Sequence, residues 1–88
     1  MALGFPNRSR NYDADHHRVR FWGHDSAIEV AFVLEGDALL RLDPRTGNGE
    51  HAMLATFDAA INRIHAAASK AYRFRKGSFH LLTVSDFE

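Results

Sequence analysis

A chain of 88 residues with 45% hydrophobic and 25% charged side chains has the composition of one small globular domain, too short for two cores and too apolar for a disordered segment. It has no cysteine, which excludes disulfides, thiolate zinc sites and thiol nucleophiles. Its 11 basic and 11 acidic residues cancel, which argues against a protein dominated by polyanion binding.

The N-terminal residues 2–5 are read as an edge strand of the single domain 1–88, with Pro6 biasing Phe5 towards an extended backbone. A loop then delivers Tyr12 against the sheet, and Asp13 to His17 turn the chain into a hairpin. Met1 to Phe5 is too short an apolar run for a signal peptide. No stretch approaches the roughly 20 apolar residues of a membrane-spanning helix. A soluble, cytoplasmic protein with no membrane association is expected.

Residues 18–34 form the predicted hairpin. Val19 and Phe21 point one way while Arg18, Arg20 and Trp22 point the other, and Ile28, Val30, Phe32 and Leu34 share one face of the second strand. Gly23-His24-Asp25-Ser26 is read as the turn. Residues 36–42 form a short helix with Asp37 in its first turn and with Leu39 and Leu42 docking on the sheet. Pro44 and Gly47-Asn48-Gly49 then interrupt the chain.

From about residue 50 to 72 the period is helical, and Met53, Leu54, Phe57, Ala60, Ile61, Ile64, Ala68, Ala71 and Tyr72 fall in one arc. Asn48 is the predicted N-cap; Arg73, Arg75, Lys76 and Gly77 mark the other end. Such a helix is about 34 Å long against about 20 Å for a six-residue strand, so it overhangs the sheet. Residues 78–84 form a strand apolar on both faces, which suggests a central place in the sheet. The tail tucks Phe87 back. The predicted fold class is α+β: a small antiparallel sheet made of the hairpin 18–34, the strand 78–84 and an N-terminal edge strand, covered by one long helix and one short helix.

Phe5-Pro6, Tyr12-Asp13, Val19-Arg20-Phe21-Trp22, the run from Ile28 to Phe32, Asp37-Ala38-Leu39, Phe57, Arg63-Ile64, Ala68, Thr83 and Asp86-Phe87 are similar, in order and spacing, to the small bacterial proteins called domain of unknown function 1488. The resemblance covers nearly the whole chain. It implies a compact α+β domain, and it brings no catalytic or cofactor residue to carry over. Glu35 departs from the Ser or Thr cap expected at the start of the short helix.

No catalytic or metal-binding constellation is legible, and no cofactor is expected. The six histidines include no pair spaced as H-x-x-x-H, and His51, Asp58 and His65 stand about 10.5 Å apart per step along a helix. Ser26 and Ser85 have Asp25 and Asp86 as sequence neighbours, a relation that explains turns better than nucleophile activation. Gly47-Asn48-Gly49 lacks the lysine of a phosphate loop. Two surfaces remain. Arg8, Arg10, Arg18 and Arg20 lie near Trp22 in an arrangement that would suit stacking of a single-stranded nucleic acid. On the long helix, Ala52, Ala55, Ala59 and Ala66, flanked by Arg63, Lys70 and Asp58, form a seam that would suit a homodimer. Acidic residues predominate over 25–58 and basic ones over 59–76, a distribution that pairs within the fold or, on one face, attracts an anionic partner. The favoured function is a non-catalytic binding or protein-interaction domain, with nucleic-acid binding as the alternative and an enzyme disfavoured.

Overall fold

A computed structural model describes residues 3–6, 10–47, 49–75 and 77–87. Alternating apolar residues build β3 (Arg18–Asp25) and β4 (Ile28–Glu35), an antiparallel hairpin with Val19 opposite Leu34 and Phe21 opposite Phe32. The hairpin is tighter than predicted. Asp25 pairs with Ile28, so the connection is Ser26-Ala27, with Ser26 at φ 57°. His24 and Asp25 belong to the strand, and Gly23 lies within it.

The predicted N-terminal edge strand, residues 2–5, is present in a shorter form, and residues expected to be loop form a second strand. β1 (Leu3–Gly4) and β2 (Arg10–Asp13) both pair antiparallel with β3, at opposite ends of it. Tyr12 is therefore carried to the core by a strand rather than by a loop. Phe5, in the interruption, stacks on His65 with ring centroids 3.8 Å apart and also approaches Phe21 and Phe32.

The α+β class holds, but the sheet is mixed. β5 (Phe79–Leu82) pairs parallel with β4, and the order is β1-β3-β4-β5, with β2 beside β3. Parallel neighbours need a crossover, which the helical segment between β4 and β5 supplies. β5 is thus at an edge and not central as predicted, and the strand is shorter than 78–84 because Val84–Phe87 turns into a 3₁₀ helix. There Thr83 N–H donates to Asp86 Oδ2 at 2.8 Å, and Phe87 packs on the core as expected.

The short helix, α1 (Gly36–Leu42), starts after Glu35, which makes no side-chain cap. The predicted long helix is two: α2 (Glu50–Ala59) and α3 (Ile61–Arg75). Ala60 leaves helical geometry at φ −105°, ψ 19°, with its N–H directed at the carbonyls of Thr56 and Phe57. The break resolves the overhang, letting α2 lie against α1 and β3 while α3 follows β5 and the C-terminal turn. Gly49 stands at the N-cap of α2; Asn48, the predicted cap, lies outside the described residues, as do Lys76 and Arg8. Gly77 has the positive φ of 92° expected just past a helix.

All three helices cover one face of the sheet. Val19, Phe21, Val30, Phe32, Leu34 and Leu82 meet Ala38, Leu39, Met53, Phe57, Ile61, Ile64, Ala68 and Ala71 in one buried cluster. Ile28, predicted with this face, is the first residue of β4 after the turn and is 60% exposed. Among the described residues no helix is long and apolar enough to cross a membrane.

Candidate functional site

Strand alternation that places Phe21, Phe32 and Leu82 under the helices forces their neighbours outward. Register then sets those neighbours in rows across the open face. One row reads Trp22, Ala31, Phe79; the next reads Arg20, Val33, Leu81, with Asn11 at its end; a third reads Asp13, Arg18, Glu35; and His24 stands beside Glu29. Two large side chains, Trp22 and Phe79, therefore stand about 10 Å apart on either side of a small one, with strands spaced about 4.8 Å. Phe79 is 61% exposed, Trp22 and Leu81 are half-buried, and Val33 is buried although it lies on this outer side. Every sheet residue of the core cluster belongs to the inner face, so the outer face is left without a covering element among the described residues.

The charges here are balanced. Arg18 Nε lies 3.8 Å from Asp13 Oδ2, too far for a hydrogen bond, and is buried without a partner for its N–H. Partial desolvation pushes the Asp13 carboxyl up. Hydrogen bonds from the His16 ring and backbone N–H, together with the His16 and Arg18 charges, outweigh it and hold the group below its ordinary value.

The structure brings Arg18, Arg20 and Trp22 together on this face, as predicted. Arg10 is not with them. It pairs opposite Phe21 on the helix side, where its guanidinium donates two hydrogen bonds to Asp58, at 2.9 and 2.8 Å. Alternation explains the difference, because β2 and β3 run antiparallel and Arg10 has the parity of Phe21. Ala52 and Ala59 lie on α2 and Arg63 on α3, so the break at Ala60 divides the small-residue seam.

The histidines serve locally. His16 Nδ1 meets Asp13 at 3.0 Å, His65 stacks on Phe5, and buried His80 places Nε2 3.1 Å from the Gly77 carbonyl. Among the described residues no three His, Asp or Glu side chains are grouped to hold a metal ion. At the hairpin end the Tyr72 hydroxyl donates to Asp25 Oδ2 at 2.6 Å, tying α3 to the sheet. This bond, then desolvation and the Asp25 charge, raise the Tyr72 pKa above its ordinary value.

Sequence reasoning missed Phe79 and Leu81 as surface residues. Their signal was present: apolarity on both sides of residues 78–84 marks a strand with one face under helices and one apolar face in the open, as well as a central strand.

No curated protein and no solved structure matches the chain. A family model described as a protein of unknown function (DUF1488) matches residues 3–81 of the 88, taking in β1, all three helices and the rows of the open face, and the chain belongs to that family.

Proposed function

We propose that this is a non-catalytic protein-interaction domain, acting in the bacterial cytoplasm, that binds its partner through the outer face of the sheet. The carrying observation is the Trp22-Ala31-Phe79 row with Leu81 beside it and buried Val33 beneath, an apolar patch rimmed by charges of both signs. Contiguous apolar surface with a polar rim is the usual form of a protein-binding patch, and aromatic residues are enriched at such interfaces. Nucleic-acid binding is the weaker reading, since Arg18 and Arg20 are offset here by Asp13, Glu29 and Glu35, and Arg10 is engaged by Asp58 on the other side. The helix seam is also weaker, because alanines present little apolar area and the break separates Ala52 and Ala59 from Arg63 and Lys70.

Affinity capture from the source cells, with Phe79→Glu and Phe74→Glu beside the wild type, tests the proposal. Phe74 on α3 is 75% exposed, so both substitutions leave the core intact. A protein captured by the wild type and by Phe74→Glu, and lost with Phe79→Glu, is the expected result. Equal capture by all three, or retention of single-stranded nucleic acid instead, contradicts it.

A further inference from the structure

We infer that the open sheet face is occupied by a second copy of this chain, related by a two-fold axis that runs parallel to the strands along the boundary between β3 and β4. The inference rests on the protein-interaction reading and names its partner. Such an axis carries β3 of one copy over β4 of the other, with the two sheets about 10 Å apart. Residues that are register partners within a chain then also face each other between chains. Because Trp22 pairs with Ala31, the large indole of each copy comes to lie over the small Ala31 of the other, twice by symmetry. Arg18 pairs with Glu35 and His24 with Glu29, so the same operation sets Arg18 of each copy opposite Glu35 of the other, and His24 opposite Glu29. Arg20 lies one step from that Glu35 along the strand. Phe79, in the row of Trp22, falls between the positions of Gly4, which pairs with His24, and Arg10, which pairs with Phe21, on the facing edge of the second copy.

An axis across the strands gives no such fit. It stacks β3 on β3 and β4 on β4. Because the outward basic groups Arg18, Arg20 and His24 are all on β3 while Glu29 and Glu35 are both on β4, no opposite charges meet on facing strands at any placement of that axis. The layout of charge and size therefore selects one symmetry. The face is complementary to itself about the β3–β4 line, and that is what a closed homodimer requires.

Sedimentation equilibrium and the emission of Trp22, the single tryptophan, test this without any variant. The expected results are a mass twice the 9.9 kDa of the chain and a blue shift of Trp22 emission as concentration rises through the dimer transition. Arg18→Glu and Glu35→Arg add a geometric test: each alone should be monomeric, because like charges meet twice across the axis. Their equimolar mixture should dimerise, because Glu at 18 then faces Arg at 35, and Arg18 faces Glu35. A dimer whose Trp22 emission does not change with concentration, or that Ala59→Glu dissociates, overturns the inference in favour of the helices. A wild type that is monomeric at every attainable concentration also overturns it. If capture of a different protein still depends on Phe79, self-pairing fails and the interaction reading stands; if that capture is absent as well, both fail.

Discussion

A methyl group at Gly23 would lie 2.9 Å from Phe5 Cε1 and 3.1 Å from both the Gly4 carbonyl oxygen and Leu3 Cδ1. Gly23 is therefore a packing residue: its missing side chain is the space that lets Leu3, Gly4 and Phe5 pass close beside β3. Gly23→Ala should lower stability by about 1–3 kcal/mol, read as a fall in the urea midpoint, because backbone as well as side chains must shift. In the sequence, glycine beside His, Asp and Ser looks like turn chemistry, and close approach leaves the same letter as positive φ. Around the hairpin the positive φ values belong to Ser26 and His17 instead. Asp43 carries a second consequence. The Arg45 backbone N–H, 3.0 Å away, and then the Arg45 side chain outweigh desolvation and hold this carboxyl below its ordinary value. A carboxylate lowered on folding stabilises the fold fully above the unfolded value of about 4, and that contribution is lost as pH falls through the folded value. Asp43→Asn should thus flatten the loss of stability on acidification, measured by denaturant midpoints across the acid range, while an unchanged slope would contradict the role given to the Arg45 N–H.

At the scale of elements, amphipathic period identified the helical segment and its buried face but not its division. Phe57, Ile61 and Ile64 are all buried, so the apolar pattern runs unbroken past Ala60, and neither glycine nor proline marks the break. The break follows from what the helices rest on, α1 and β3 before it and β5 after it, which is tertiary information. The direction of β5 is similar: nothing in its own residues says parallel, and only the long crossover from β4 permits it. Phe57 meets Phe21 at 5.2 Å between ring centroids, and Ile64 is fully buried in the same cluster. Truncating either to alanine should cost about 2–5 kcal/mol in chemical denaturation, a large share of what a domain of this size has. Midpoints equal to the wild type would mean that these positions are not the centre of the core.

At the scale of the whole molecule, the described residues form two layers that leave one side of the sheet covered and one side open, and that asymmetry is the basis of the functional account. Half of the candidate surface was legible: alternation alone put Arg18, Arg20 and Trp22 on the side away from Phe21. The other half, Phe79 and Leu81, came into view only with the β4–β5 register, since pairing across strands far apart in sequence decides which residues share a row. A photoreactive benzophenone amino acid placed at position 79, with position 74 as the exposed control, tests directly whether the open face is the surface that binds. Irradiation in the source cells should yield a protein adduct from position 79, at twice the chain mass if the partner is a second copy, and none from position 74. Adducts from position 74 with none from position 79 would contradict the account.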